Sequence, residues 1–299
     1  MIVVTTPTGQ IGSEVLARLL DAGNGTTPVR VIVRDPARLS PGIRERVEVV
    51  QGSHADPAVL KEACEGADRV FWLVPPTPGA DSVTGHFHAF TEPLCEVIGT
   101  QGIERVVAVS TLGRGVAENA GLISASLAMD EAIAATGVHY RALCPPALME
   151  NVLRQTASIR DEGVWTEALA RDRVLRTCAT RDVAAEAARL LLDATWTGYE
   201  DVPLVGPDDL TPEGVARVLA EVLDRPVRVR QITAAEQRAM LTRHGATEAW
   251  AQGVADMVDA LNSQGFYGAA QPSTPATAPT SFRQWCEEVL KPATRGRHR

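Results

Sequence analysis

The stretch Thr5-Thr6-Pro7-Thr8-Gly9-Gln10-Ile11-Gly12 constrains this chain more than any other. It follows a β-branched run, Ile2-Val3-Val4-Thr5, that reads as a strand. It leads into Gly12–Ala22, where Val15, Leu16, Leu19 and Leu20 fall on one helical face. The loop fits G-x-x-G-x-x-G with Thr6 in place of the first glycine. Such a loop leaves backbone N–H groups free at a helix N-terminus, where the helix dipole favours a phosphate. Gly9 lets the phosphate approach the backbone, and Gly12 lets the helix pack closely on the strand. The hydroxyls of Thr6 and Thr8 add donors, and Gln10 and Ile11 bring the first helical amides. The strand–loop–helix context is the one a dinucleotide site requires; the alternative is an ordinary strand–helix turn.

The rest of the first half repeats the same unit. Strands are expected at 29–33, 47–50, 70–74, 106–109 and 138–143, with helices at 56–65, 84–101 and 122–136 between them. Single helices between strands call for a parallel sheet covered on both faces. The expected fold is therefore α/β: a doubly wound parallel (Rossmann) sheet over residues 1–146, with a smaller C-terminal α/β lobe over 147–290. The helix expected at 181–194 is a candidate to return to the main sheet. Gly268–Thr280, rich in Ala, Pro, Ser and Thr, reads as a loop, either a lid or a connector. Residues 291–299 read as a basic, solvated tail.

Ligands in such folds bind at the carboxyl ends of the strands near the switch point. Arg34, the first residue past the second strand, then faces the adenosine ribose. An arginine there pairs with a 2′-phosphate, so NADP(H) is favoured over NAD(H); the alternative is a surface salt bridge. Asp35 next to it reads as a helix cap. Val74 and Ser110 end the fourth and fifth strands and belong beside the cofactor. Pro75 and Pro76, and Met149 and Asn151 after the sixth strand, are candidates to line a substrate pocket.

Composition narrows the function further. The net charge of −8 argues against nucleic-acid binding, which needs clustered cations. No apolar run approaches the ~20 residues that span a bilayer, and no charged leader precedes the first strand, so a cytoplasmic protein is expected. Cys64, Cys95, Cys144, Cys178 and Cys286 show no metal-ligand spacing and read as buried thiols; no metal site is expected.

The Thr-Pro-Thr-Gly-Gln-Ile-Gly loop, Val33-Arg34-Asp35-Pro36, Ala142-Leu-Cys-Pro-Pro-Ala-Leu-Met-Glu-Asn151 and Ser281-Phe-Arg-Gln-Trp285 together resemble the NmrA-like family. These are atypical short-chain dehydrogenase relatives. The resemblance implies a Rossmann domain, a small substrate lobe and a preference for NADP(H). The family includes quinone and other small-molecule reductases. It also includes non-catalytic redox sensors that bind the cofactor and a regulatory protein partner. Thr6 departs from the family's usual glycine. So does Gly52-Ser53-His54, where relatives often carry Gly-Asp and an apolar residue touching adenine.

Catalysis departs as well. The usual acid is a Tyr with a Lys four residues on. Tyr140, Tyr199 and Tyr267 are followed at that distance by Cys144, Pro203 and Gln271. The only lysines are Lys61 and Lys291, and Ile123 and Leu127 occupy the helix where the pair would fall. Ser110 and the His86/His88 pair are the substitute candidates for proton transfer; the histidines are alternatively ordinary polar residues at a helix start. Three functions remain open: an NADPH-dependent reductase of a small carbonyl or quinone, an NADP(H)-sensing regulator, or a catalyst that uses the pocket without redox change.

Overall fold

In the computed structural model, which describes residues 1–22, 27–264 and 277–295, the β-branched runs line up as one parallel sheet. The first half runs β1 (Ile2–Val4), α1 (Gln10–Ala22), β2 (Val29–Val33), a 3-10 turn (Pro36–Arg38), α2 (Pro41–Arg44), β3 (Glu48–Gln51), α3 (Pro57–Cys64), β4 (Arg69–Trp72), α4 (Val83–Gln101), β5 (Arg105–Val109), α5 (Leu122–Ala135) and β6 (His139–Cys144). The second half runs β7 (Ala147–Leu148), a 3-10 segment (Met149–Gln155), α6 (Thr156–Glu162), β8 (Val164–Glu167), β9 (Thr177–Cys178), α7 (Thr180–Leu192), β10 (Tyr199–Pro203), α8 (Pro212–Leu223), β11 (Arg228–Gln231), α9 (Ala234–Arg243), α10 (Glu248–Gln264), α11 (Phe282–Trp285), a π-helical turn (Cys286–Leu290) and α12 (Lys291–Arg295).

The seven-stranded sheet has the order β10-β6-β5-β4-β1-β2-β3. The order reverses between β1 and β4, which puts the switch point at the carboxyl ends of those two strands. Alternation along the strands divides the core. Ile2, Val4, Val31, Phe71 and Val107 face α1 and α7. Val3, Ile32, Trp72, Val106 and Ala142 face the side of α3, α4 and α5. This doubly wound architecture is the one the alternating pattern calls for.

The second half does not stay apart. After β9 the chain crosses back: α7 packs beside α1, and β10 pairs with β6 from Tyr199↔Tyr140 to Pro203↔Cys144. This strand completes the main sheet. What remains has its own core of Met149, Trp165, Leu219, Phe282 and Trp285, with small pairings β8–β11 and β7–β9. Two of the distant motifs meet there. The carboxylate of Glu150 accepts from the α7 amide of Thr180 and from Trp285 Nε1, each at 3.0 Å.

The chain closes on an irregular helix. A π-helical turn at Cys286–Leu290 inserts one residue, so that Trp285, Cys286 and Leu290 are all fully buried. The chain then continues as α12, so 291–295 is a helix rather than a loose tail. Residues 296–299, and 268–276 of the expected lid or connector, lie outside the described residues. The four residues that follow, Thr277–Thr280, are fastened down: the Thr277 hydroxyl donates to Pro203 O, and Thr280 binds the Asp182 carboxylate through its amide and hydroxyl. Among the described residues no helix is long and apolar enough to cross a membrane. Four of the five free cysteines are buried, and Cys95 is half-buried.

Candidate functional site

The loop after β1 begins with a residue the motif reading left out. Thr5 stitches the switch point: its hydroxyl donates to Phe71 O at 3.0 Å and accepts from Leu73 N at 3.1 Å. The chain then turns sharply. Thr6 adopts φ 51, the left-handed conformation that the missing glycine would take freely, and a β-branched residue bears strain there. Gly9 N closes the turn on Thr6 O at 2.9 Å. A Cβ at Gly12 would lie 2.1 Å from Thr6 O, so no side chain fits; at Gly9 the same contact would be 3.3 Å. The glycine at position 12 is therefore dictated by backbone packing.

The N-terminus of α1 is left uncapped by side chains. Gly9 has none, and the first turn carries no acidic residue. Thr6 Oγ1 is buried in the same loop and has no hydrogen-bond partner among the described residues. A buried orphan hydroxyl beside uncapped helical amides fits an anionic group seated on this loop. Arg34 is exposed just past β2, and its guanidinium makes no ion pair among the described residues. Asp35 caps the next turn, accepting from Ala37 N at 3.0 Å.

His54 behaves like an apolar residue. It is buried against Trp72 and Phe90, with ring centroids 5.0 and 4.6 Å away. Its Nε2 meets Leu73 O at 3.0 Å, and since a carbonyl only accepts, the nitrogen donates. Burial pushes its pKa down to about 4, so the ring is neutral.

The structure separates the two candidate histidines. His86 is half-buried, and its Nε2 meets Pro75 O at 2.9 Å while its ring packs on Phe90 and Trp250. It clamps the loop after β4. His88 points away into solvent, 3.5 Å from Glu92 on the same helix. No cluster of metal-ligating side chains occurs among the described residues. Val74 and Pro75 are half-buried and Pro76 is exposed on that loop. Asn151 is exposed, whereas Met149, expected to line a pocket, is fully buried in the second core. Its side chain fills the lobe because the segment after β7 turns inward to meet Trp285.

Ser110, at the carboxyl end of β5, stands over a network that the motifs did not flag. Its hydroxyl donates to Asp130 Oδ2, a fully buried carboxylate on α5. Arg114 Nη2 binds the same oxygen at 2.7 Å, and the Tyr140 hydroxyl donates to Oδ1 at 2.5 Å. Arg114 Nε reaches Asp201 Oδ2 on β10 at 2.8 Å. A signal was present in the sequence: Asp130 interrupts the apolar stripe Ile123, Leu127, Ile133 of α5, and an acid in such a stripe must be paired.

Above these loops lies α10. Thr247 N donates to Pro78 O at 2.8 Å, the Thr247 hydroxyl donates to Ala80 O, and Gln264 exchanges hydrogen bonds with the backbone of Glu118. The loops after β4 and β5 are thus held under one helix.

This geometry fits an anionic group on the loop, and comparison with known proteins gives the family. The model of the NAD(P)H-binding family matches residues 7–194. The chain belongs to that family. Within it, a (4-alkanoyl-5-oxo-2,5-dihydrofuran-3-yl)methyl phosphate reductase of Streptomyces griseus is 33% identical over 237 residues, which is 78% of this chain and 77% of the relative. An NAD(P)H azoreductase of Xenophilus azovorans is 29% identical over 285 residues, 91% of this chain and 88% of the relative. In structure, an NADPH-dependent quinone oxidoreductase of Escherichia coli complexed with NADPH superposes with a TM-score of 0.77 over 99% of both chains, at 22% identity. That likeness shows the shared fold.

Proposed function

We propose that this member of the NAD(P)H-binding family is an NADPH-dependent reductase of a small conjugated carbonyl or quinone, within the NmrA-like branch that its motifs resemble. The observation that carries the reading is the pairing of a glycine-bearing loop at the N-terminus of α1, where Thr6 Oγ1 is buried without a partner, with an arginine past β2 that makes no ion pair among the described residues. The relatives support it, since the two most similar ones named above are reductases of small molecules.

The roles follow from position. The amides of Gln10, Ile11 and Gly12, with Thr6 and Thr8, would hold the pyrophosphate. Arg34 would pair with the 2′-phosphate, for which a guanidinium is the matching partner. Neutral His54 offers a flat, uncharged ring near the adenosine end. Bound NADPH supplies a hydride. Val74 and Ser110 flank its reactive end, and Pro75, Pro76 and Asn151 border the space for an acceptor. Loops pinned beneath α10 border that space on the other side. The division of labour is cofactor binding by 1–146 together with α7 and β10, and substrate binding by the remainder of 147–290. The loss of the Tyr–Lys pair invited a regulator alternative, which none of the relatives named supports.

The test is NADPH consumption by the purified protein against quinones, butenolides and azo dyes. The reading predicts turnover with at least one class and a preference for NADPH over NADH. Tight NADPH binding with no turnover on any acceptor would contradict it.

A further inference from the structure

We propose that Ser110 hands a proton to the reduced substrate and that Asp130, directly behind it, refills the hydroxyl, taking the place of the missing Tyr–Lys pair. This rests on the reductase reading above.

Asp130 has no exposed surface, so it acts only through Ser110 and is a positioning and proton-holding residue. Its surroundings are fully specified. From the β5 loop come Ser110 and Arg114; from β6, Tyr140 and Cys144; from β10, Asp201 and Tyr199, whose hydroxyl donates to Asp201 Oδ1 at 2.5 Å. On its own helix Glu131 lies 4.0 Å from Arg114. Helix α4 brings the Cys95 thiol, which donates to Ala132 O, and α10 brings the apolar Met257 and Leu261.

One guanidinium therefore serves two carboxylates, Asp130 and Asp201. Two buried or half-buried anions sharing one cation leave excess negative charge, which a proton relieves. Asp130, the fully buried one, is the better holder, and burial pushes its pKa up to about 6. A protonated Asp130 must donate to a neighbour. Oδ1 already accepts from the Tyr140 hydroxyl, so the proton sits on Oδ2; there Arg114 has no acceptor, whereas the Ser110 hydroxyl can turn, accept from Asp130, and direct its own proton outward.

The step balances. Hydride from NADPH bonds to the electrophilic carbon of the acceptor, and the electron pair of the conjugated bond moves to the acceptor oxygen. That oxygen takes the Ser110 proton, and Ser110 takes the proton of Asp130. The new Asp130 carboxylate is held by Arg114 and Tyr140. After product leaves, water returns a proton through the same hydroxyl.

The experiment measures kcat against pH with an accepted quinone, together with the Kd for NADPH, in wild type, Ser110→Ala, Ser110→Thr and Asp130→Asn. Wild-type kcat is expected to fall as pH rises through about 6, because the acid form is needed. Ser110→Ala should lose on the order of 10²-fold in kcat and lose that pH limb, with Kd changed by no more than about fivefold. Ser110→Thr, which keeps the hydroxyl, should restore the limb. Asp130→Asn should match Ser110→Ala; if it does not fold, Ser110→Ala carries the test, since it leaves Arg114, Asp130 and Tyr140 in contact. A wild-type pH profile and rate in Ser110→Ala would overturn the relay and leave the reductase standing. Wild type that binds NADPH but turns over no acceptor would overturn both.

Discussion

The loop after β1 and the carboxyl end of β5 flank the same switch point and are built in different ways. At residues 5–12 the shape comes from backbone meeting backbone: Gly12 lies against Thr6 O, and Gly9 N closes on the same carbonyl. At β5 the shape comes from side chains of two other segments, the β5 loop and β6, converging on Asp130 of α5, with Arg114 also reaching Asp201 on β10. A contiguous, steric site makes a fixed seat whose chemistry the ligand brings. A dispersed, charged site is suited to holding a proton and can be retuned one residue at a time. The two should therefore fail differently when perturbed.

The largest effect on cofactor binding is expected at Gly12. Gly12→Ala forces a Cβ onto a backbone oxygen that cannot move aside, so NADPH binding should vanish and stability should fall by about 3 kcal/mol or more. Gly9→Ala, with its contact at 3.3 Å, should bind NADPH only a fewfold more weakly. Calorimetry and thermal melts on both variants check this, and a Gly12→Ala protein that binds normally would break the steric account.

Arg114→Ala attacks the other region. It strips the cation from a fully buried carboxylate, which typically costs about 3–5 kcal/mol. Chemical unfolding should show that loss while the NADPH Kd of the folded protein stays put. A variant whose cofactor affinity changes more than its stability would show that the two regions are one.

His54 sharpens the comparison through pH. Its folded pKa of about 4 lies below the ordinary 6.5, so the stability it contributes is present above pH 6.5 and is lost as pH falls toward 4. The difference amounts to roughly 3 kcal/mol at the acid end. His54→Gln should flatten the stability curve in that window, as read by urea melts at stepped pH; an unchanged acid slope would refute the buried, neutral ring.

Thr6→Gly should have the smallest effect. Relief of a left-handed threonine offsets the added chain entropy of glycine, leaving stability within about 1 kcal/mol of wild type. Loss of the orphan hydroxyl should weaken NADPH binding by about fivefold. An affinity equal to wild type would remove Thr6 from the phosphate seat.

The same contrast explains what the sequence discloses. The parallel sheet is legible because each strand and helix is a local pattern, and the phosphate loop because Gly9, Gly12 and Thr6 lie within one turn of chain. The return of β10 to the main sheet is not, because Tyr199–Pro203 finds its partner 59 residues back, at Tyr140–Cys144, through pairing alone. Met149 reads as a pocket residue by fold position, yet the contact of its neighbour Glu150 with Trp285 draws that segment into a core. Tyr140 stands out in the sequence only for lacking a lysine; its bond to Asp130 joins a strand to the preceding helix, a proximity no spacing rule supplies.

The central claim is that the strand–loop–helix unit and Arg34 form an NADP(H) site. Calorimetric titration of wild type and Arg34→Ala with NADPH and with NADH tests it most directly. Wild type should prefer NADPH, and Arg34→Ala should lose on the order of 10- to 100-fold in NADPH affinity while NADH binding is unchanged. Equal affinity for both cofactors in wild type, or a preference that survives the substitution, would contradict the claim.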